Sequence, residues 1–225
     1  MFQTVILAGG FGTRLKSISG DIPKPMVEIG GEPFLYMLMR RLEKQGCETI
    51  VLSLYYQAAY IIKRVECDRP VSCEVKFCIE EAPLGTGGAI KKSSSLISDD
   101  SFLVINGDTF CEIDYEKCFL VAERVDLVVA AVQVDNVSRY GRLTVDISGN
   151  ILGLNVKNNS GPGLINAGTY VVRVNDIQSY PESCFSFEGD FLTKFRGSMR
   201  VFPVFCDFVD IGVPEDYKYA VEKFS

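Results

Sequence analysis

Apolar and polar positions alternate with two different periods along the first half of the chain. Apolar runs of about four to eight residues are typical of buried strands, whereas apolar residues repeated every three or four positions are typical of amphipathic helices. The runs predict strands at 1–8, 48–54, 74–80 and 101–106, and the longer spacing predicts helices at 33–45 and 57–66. A loop over 81–89 leads into a further predicted helix that ends at about Leu96. Strands that alternate with helices in this way form mostly parallel sheets with helices on both faces.

The second half of the chain is richer in strands. The pattern predicts a hairpin of 140–146 and 151–157 around Ser148-Gly149-Asn150. Further strands are predicted at 127–134, 163–174 and 199–207, a short helix at 185–195 and a C-terminal helix at 214–223. Neither an internal repeat nor a low-complexity linker divides the chain. The sequence therefore predicts a single α/β domain over 1–225, with a Rossmann-like, mostly parallel mixed sheet and helices on both faces.

The composition limits the classes of protein to which the chain can belong. The formal net charge is −6 without a long basic run, which argues against nucleic acid as the main partner. No apolar run approaches the length of a membrane-spanning helix, and a strand begins within a few residues of Met1. We therefore expect no membrane segment, no secretory signal and a cytoplasmic location.

The cysteines and the missing histidines narrow the chemistry further. The chain has eight cysteines and no histidine, and no two cysteines form a Cys-x-x-Cys pair. This argues against a zinc site and against a disulfide framework, so we expect reduced thiols that serve as small buried apolar residues. Without histidine, a serine–histidine or cysteine–histidine catalytic pair is excluded.

A glycine-rich loop follows the first predicted strand directly, where the residues after Leu7 read Ala-Gly-Gly-Phe-Gly-Thr-Arg-Leu. Glycine lets the backbone approach a ligand, and successive N–H groups in such a loop can cradle phosphate oxygens. The loop lacks the third glycine of the dinucleotide fingerprint and the Gly-Lys-Ser/Thr of a P-loop. By itself it fits a phosphate cradle and an ordinary tight turn equally well.

Two cations accompany this loop. Arg14 lies directly after it and can grip a phosphate with its fork of donors. Lys24 lies between Pro23 and Pro25, which stiffen the backbone and fix the position of the charge.

Asp108 is the first candidate metal ligand. It follows the apolar run 102–105 and the pair Asn106-Gly107, at the carboxyl end of a predicted buried strand. Ligands of open α/β sheets bind at this end, and Mg²⁺ prefers oxygen ligands that it shares with phosphates. The position fits a metal ligand and a cap of the next element equally well.

These motifs together resemble the signature of the sugar-phosphate nucleotidyltransferases. The Ala-Gly-Gly-x-Gly-Thr-Arg-Leu segment is followed about ten residues later by Pro-Lys-Pro-Met, and Asp-x-Gly-x-Pro-Glu-Asp-Tyr begins at Asp210. The chain is most similar to the short D-glycero-D-manno-heptose 1-phosphate guanylyltransferases, and the resemblance covers nearly all of it. It implies a nucleotide-binding half at 1–111 and a sugar-binding half at 112–225.

The resemblance implies roles for particular residues. Arg14 and Lys24 are the expected catalytic residues, Asp108 and Asp210 are the expected ligands of Mg²⁺, and Asp216 is expected in the first turn of the C-terminal helix, where a carboxylate suits the helix dipole. The expected nucleotide contacts are Leu7, Gly9, Gly10, Gly12, Thr13, Gly85 and Gly107, and the expected sugar contacts are Gly141, Lys157 and Asn166.

Two of these implied contacts have alternatives. The loop 83–89, which Glu80 and Glu81 precede, resembles the base-reading loop of the family, but it also fits a glycine-rich helix start. Lys157 fits a solvated hairpin lysine nearly as well as a sugar-phosphate contact. The chain also departs from the family at Val156, where relatives usually carry a glutamate that holds a sugar hydroxyl.

The implied reaction joins a nucleoside triphosphate to a sugar 1-phosphate. We expect transfer of GMP from GTP to D-glycero-α-D-manno-heptose 1-phosphate, giving GDP-heptose and pyrophosphate, by a monomer or homodimer. One alternative is a uridylyltransferase that acts on a hexose or amino-sugar 1-phosphate. Another is a non-catalytic nucleotide-sugar sensor, against which the intact Arg14, Lys24, Asp108 and Asp210 argue.

Overall fold

The structure is a computed structural model that describes residues 1–12, 15, 20–156, 160–212 and 214–224, with the backbone alone at 155 and 156. Its strands are β1 (Phe2–Leu7), β2 (Glu28–Ile29), β3 (Glu32–Pro33), β4 (Cys47–Leu54), β5 (Glu74–Ile79), β6 (Ser101–Asn106), β7 (Thr109–Phe110), β8 (Leu127–Val134), β9 (Arg142–Val145), β10 (Ile151–Val156), β11 (Gly163–Arg173), β12 (Met199–Val204) and β13 (Val209–Asp210). Its α-helices are α1 (Phe34–Lys44), α2 (Ala58–Asp68), α3 (Gly85–Ser94), α4 (Tyr115–Ala122), α5 (Val174–Gln178) and α6 (Pro214–Phe224), with a 3-10 helix at Lys24–Met26 and a π-helix at Phe187–Leu192.

A nine-stranded mixed sheet runs through the described residues. Its main path has the order β10-β9-β11-β6-β1-β4-β5, and β8 joins β11 to β12 beside that path. The strands of the first half pair in parallel, β6 with β1, β1 with β4, and β4 with β5. The long strand β11 pairs antiparallel with β6, β8 and β9, so the second half joins the same sheet through a strand that runs opposite to its neighbours. The predicted α/β class with a mixed sheet is confirmed.

Each parallel strand contributes apolar side chains to both faces of the sheet. In β6, Leu103 and Ile105 face one core, whereas Phe102 and Val104 face the other. Buried residues of α1, α2 and α4 cover the first core, and buried residues of α3, α5 and the π-helix cover the second. Because both faces are covered, these strands contain short runs of apolar residues without strict alternation, which is why the sequence identified them.

The structure differs from the sequence-based prediction at several elements, since α5, the 3-10 helix and the short strands β2, β3 and β7 were not predicted. The helix α4 was not predicted, although Asp114 caps it by accepting a hydrogen bond from the Lys117 amide at 3.1 Å. The helix predicted at 185–195 is a π-helix of six residues. The strand predicted at 199–207 ends at Val204, and the chain then forms β13, which pairs with β7.

The cysteines follow the expectation only in part. All eight are free thiols, but only Cys47, Cys78, Cys111 and Cys118 are buried. Burial raises the pKa of Cys47 to about 11 and that of Cys118 to about 12, so both thiols stay protonated. The other four are at least partly exposed because they lie in loops and at helix surfaces.

No helix within the described part of the chain is both long enough and apolar enough to cross a membrane.

Candidate active site

The carboxyl ends of the parallel strands open onto one cavity. The loops that follow β1, β4, β5 and β6 supply most of its walls, as the topology of an open α/β sheet requires. The cavity has a volume of about 320 Å³ and is lined, among others, by Leu7, Gly9, Gly10, Phe11, Ser53, Tyr55, Glu80, Gly85, Thr86, Asn106 and Asp108. The glycine loop and Asp108, which lie about a hundred residues apart in the sequence, therefore face the same space.

Gly107 explains how β6 can end so close to β1. Its amide donates to the carbonyl of Leu7 at 2.9 Å, and a Cβ at this position would lie 2.6 Å from that same carbonyl oxygen. Only glycine fits so close to a neighbouring backbone. The contact fixes the backbone directly before Asp108, so it positions that carboxylate at the floor of the cavity.

A cluster of one lysine and two aspartates lies at this floor. The Lys24 ammonium lies 2.5 Å from Asp108 Oδ2 and 3.8 Å from Asp210 Oδ1. The Lys24 side chain is only 10% exposed, and the 3-10 helix that carries it begins between two prolines. The short sheet of β7 and β13 brings the two aspartates together, since Asp210 pairs with Thr109. The amide of Gly212 also donates to Asp210 Oδ1 at 2.7 Å.

The chemistry of this cluster fits a divalent cation. Two carboxylates already converge on the positive charge of Lys24, and carboxylate oxygens are the ligands that Mg²⁺ prefers. Across the residues that the structure describes, no group of three or more acidic, cysteine or histidine side chains could hold a metal. Two protein carboxylates leave coordination positions for water and substrate phosphates, which is how Mg²⁺ is usually held.

A buried carboxylate lies at the opposite wall of the cavity. Glu80 is 8% exposed, and its Oε2 accepts a hydrogen bond from the Leu84 amide at 3.0 Å. Leu84 precedes Gly85, which begins α3 with a φ of +71° and would place a Cβ 2.5 Å from the carbonyl oxygen of Phe185. The loop 83–89 is therefore both a glycine-rich helix start and a wall of the cavity. Glu80 presents a negatively charged acceptor to the same space.

A second cavity adjoins the first. Its volume is about 220 Å³, and Leu7, Thr86 and Asn106 line both cavities. Tyr170, Ser186, Phe187 and Glu188 complete its lining. Asn166 lies behind this wall, where its side-chain amide donates to Glu188 Oε1 at 3.0 Å and to the Tyr170 hydroxyl at 2.7 Å.

The predicted site residues are brought together to different degrees. Five of them line the first cavity: Leu7, Gly9, Gly10, Gly85 and Asp108. Lys24 contacts both Asp108 and Asp210. Gly12 packs against Lys24, because a Cβ on Gly12 would lie 3.0 Å from the Lys24 Cβ. Gly107 lies directly before Asp108, and Asn166 supports the second cavity. Gly141, in the turn before β9, is absent from the described lining of both cavities. Thr13, Arg14 and Lys157 lie outside the described residues.

The interpretation of Asp216 was incomplete. Asp216 lies in the first turn of α6 as expected. Its carboxylate also accepts a hydrogen bond from Arg139 Nη2 at 2.8 Å and one from the Tyr140 hydroxyl at 3.4 Å. These hydrogen bonds connect the C-terminal helix α6 to the turn that precedes β9. The sequence could not indicate this because the partners are 76 and 77 residues away.

Sequence reasoning did not identify the roles of Glu80, Tyr170 and Glu188. Glu80 was noted only as a neighbour of the loop 83–89. Tyr170 is fully buried in the apolar stretch of β11, and its pattern predicts a core residue. Glu188 lies in the first turn of the π-helix, and no local pattern distinguishes it from an ordinary surface glutamate.

Comparison with known proteins identifies the family. The family model described as nucleotidyl transferase matches residues 3–222 of the chain. The chain belongs to the nucleotidyl transferase family.

Within the nucleotidyl transferase family, two curated relatives match over almost their whole lengths. The D-glycero-alpha-D-manno-heptose 1-phosphate guanylyltransferase of Campylobacter jejuni is 38% identical, with 96% of each chain covered. The protein of the same name from Aneurinibacillus thermoaerophilus is 34% identical, with 99% of this chain and 98% of the relative covered.

One solved structure is more similar to the chain than these two relatives are. The crystal structure of HddC from Yersinia pseudotuberculosis is 52% identical and superposes with a TM-score of 0.94 over 100% of both chains. A second structure of that protein, complexed with GMP-PN, has a TM-score of 0.93.

The lysine–aspartate cluster leads to a prediction about metal binding without substrate. Replacing Lys24 by methionine leaves Asp108 and Asp210 facing each other without a cation, so we expect a lower Tm. Added Mg²⁺ should raise the Tm of Lys24→Met more than that of the wild type, because the lysine no longer competes for the carboxylates. Thermal unfolding at increasing MgCl₂ measures this effect.

Lys223→Met is the matched control, because Lys223 pairs with Asp207 outside the cluster at 2.6 Å. Its Tm should respond to Mg²⁺ as the wild type does. Equal responses of Lys24→Met and the wild type would contradict a cation site at Asp108 and Asp210.

Proposed function

We propose that this chain transfers GMP from GTP to D-glycero-α-D-manno-heptose 1-phosphate, giving GDP-heptose and pyrophosphate. The observation that carries the reaction class is the cluster of Lys24, Asp108 and Asp210 at the floor of a cavity that shares walls with a second cavity. Such an arrangement can hold two phosphorylated molecules side by side. The choice of heptose and guanine follows the relatives that match over the whole chain.

The reaction requires positioning and charge stabilisation rather than a general base. An oxygen of the sugar 1-phosphate attacks the α-phosphorus of GTP in line, and pyrophosphate leaves. The attacking phosphate is already ionised at neutral pH, which agrees with a chain that has no histidine. Catalysis then depends on holding the two phosphates close together and on neutralising the charge of the transition state.

Particular residues take these roles in the proposal. Lys24 binds the α-phosphate and the attacking phosphate, and Arg14 neutralises the leaving pyrophosphate. Asp108 and Asp210 would hold Mg²⁺, which when bound neutralises charge on the phosphoryl oxygens. Gly9, Gly10 and the other loop glycines offer backbone amides to the remaining phosphates.

Glu80 supports guanine as the base. A carboxylate only accepts hydrogen bonds, and guanine presents two adjacent donors, its N1–H and its amino group, along one edge. Uracil offers one N–H between two carbonyl oxygens, and the carboxylate would repel those oxygens. Adenine and cytosine present an unprotonated ring nitrogen at the corresponding position. A buried acceptor therefore favours guanine and leaves the other bases imperfectly paired.

The proposal also includes the compartment, the partners and the assembly of the enzyme. The cytoplasm is the expected compartment, because GTP is available there. The expected partners are the two substrates, without nucleic acid or membrane, and the expected assembly is a monomer or a homodimer.

Pyrophosphate release tests the reaction. GTP, UTP, CTP, ATP and dTTP are each supplied with heptose 1-phosphate, mannose 1-phosphate, glucose 1-phosphate or N-acetylglucosamine 1-phosphate. We expect the highest kcat/KM for GTP with heptose 1-phosphate, by about a hundredfold or more over the other bases. Faster turnover with UTP would favour the uridylyltransferase, and nucleotide-sugar binding without pyrophosphate release would favour the sensor.

Glu80→Gln tests the base assignment. Glutamine keeps an oxygen for the Leu84 amide but replaces the other acceptor by a donor, so kcat/KM for GTP should fall about 10- to 100-fold. The value for UTP should change little. The control is Glu81→Gln, because Glu81 is the exposed neighbour and should not affect selectivity. An equal loss of kcat/KM for every triphosphate would contradict recognition of the base by Glu80. Glu80 would then only stabilise the loop 83–89.

A further inference from the structure

The second cavity contains one acidic side chain, Glu188, among the described residues that line it. The rest of its lining consists of apolar, hydroxyl and amide side chains. The cavity shares Leu7, Thr86 and Asn106 with the first cavity, and Asp108 follows Asn106 by two residues. A molecule in the second cavity could therefore extend towards the lysine–aspartate cluster.

Glu188 is held in place by two donors. Its Oε1 accepts a hydrogen bond from the Tyr170 hydroxyl at 2.7 Å and one from the Asn166 amide at 3.0 Å. Burial and the neighbouring carboxylate raise the pKa of Tyr170 well above its usual value, so the hydroxyl stays protonated and remains a donor. Tyr170 is itself fixed, because it is fully buried and its ring packs edge-on against Phe187.

The side chain of Asn166 is largely used within the protein. Its amide group donates to Tyr170 and to Glu188, and its Oδ1 accepts a hydrogen bond from the Gly168 amide at 2.9 Å. Both amide hydrogens are therefore engaged, and Asn166 orients Glu188 rather than offering donors to a ligand. In contrast, no hydrogen bond from the described residues reaches Glu188 Oε2, and Glu188 is only partly buried.

We propose that Glu188 reads the sugar of the acceptor substrate by accepting a hydrogen bond from one of its ring or side-chain hydroxyls. This inference rests on the proposed function, since it takes a sugar 1-phosphate as the substrate. A hydroxyl can donate to a fixed carboxylate, whereas a phosphate is repelled by it. Glu188 therefore determines which sugar is accepted. It also determines the orientation of the sugar phosphate, with the sugar ring in the second cavity and the phosphate group directed towards Lys24. Asn166 and Tyr170 are positioning residues.

Glu188→Gln is the direct test, because glutamine keeps an acceptor for Tyr170 and Asn166 but removes the charge. With heptose 1-phosphate and GTP, we expect KM for the sugar phosphate to rise about tenfold or more, because a hydrogen bond to a charged acceptor is stronger than one to an amide. KM for GTP and the Tm should change little. Asp190→Asn is the matched control, because Asp190 accepts from the Ser186 amide at 2.8 Å in the same π-helix.

Deoxy analogues of the accepted sugar 1-phosphate identify the hydroxyl. Removing the hydroxyl that Glu188 reads should lower kcat/KM in the wild type, but should add little to the loss in Glu188→Gln. If every deoxy analogue loses the same factor in both proteins, or if Asp190→Asn raises the sugar KM as much, Glu188 does not read the sugar. Failure of the proposed function is distinguishable, because the wild type would then release no pyrophosphate with any of these sugars.

Discussion

One ammonium group, that of Lys24, lies between two carboxylates that reach it from distant parts of the chain. Asp108 follows the central strand β6, and Asp210 comes from β13, about a hundred residues later. Because like charges repel, two aspartates that converge on one point require either a cation between them or a proton on one of them. The lysine satisfies that requirement in the protein alone. The same two carboxylates would suit Mg²⁺ when a phosphorylated substrate is bound. The arrangement that stabilises the cluster in the protein alone is therefore also suited to phosphate chemistry.

The sheet determines where this cluster lies relative to the two cavities. Parallel pairing of β6, β1, β4 and β5 sends their carboxyl ends to one edge, so the loop glycines, Glu80 and Asp108 share a space. The antiparallel strand β11 then passes beside β6 and carries Asn166 and Tyr170 to the neighbouring cavity. The two substrates would thus meet at the border between the parallel and the antiparallel parts of the sheet, where Asn106 lines both spaces. A carboxylate at the far wall of each cavity could then select the base and the sugar separately.

The sequence predicts the parts of this structure that local patterns determine. Strands such as β1 and β6 are buried on both faces and therefore contain runs of three or four consecutive apolar residues, and Asp108 was identified because it closely follows such a run. Glu188 could not be identified in this way, because its partners Asn166 and Tyr170 lie in a different element. Asn166 itself was assigned to the sugar by resemblance, whereas the structure shows that its amide donors are used by Tyr170 and Glu188. The helix α4 escaped prediction because it has only eight residues and most of them are apolar, so no helical period stands out. The ion pair of Asp216 and Arg139 forms only when the chain is folded.

Turnover of aspartate variants tests most directly the claim that Lys24, Asp108 and Asp210 form the centre of phosphoryl transfer. Pyrophosphate release from GTP and heptose 1-phosphate is measured at several Mg²⁺ concentrations for Asp108→Asn and Asp210→Asn. The matched control is Asp207→Asn, because Asp207 lies just before β13 but pairs with Lys223. We expect the first two variants to fold and to lose several orders of magnitude in kcat, while the control retains wild-type turnover. Near-normal kcat in folded Asp108→Asn or Asp210→Asn would contradict a catalytic centre at this cluster.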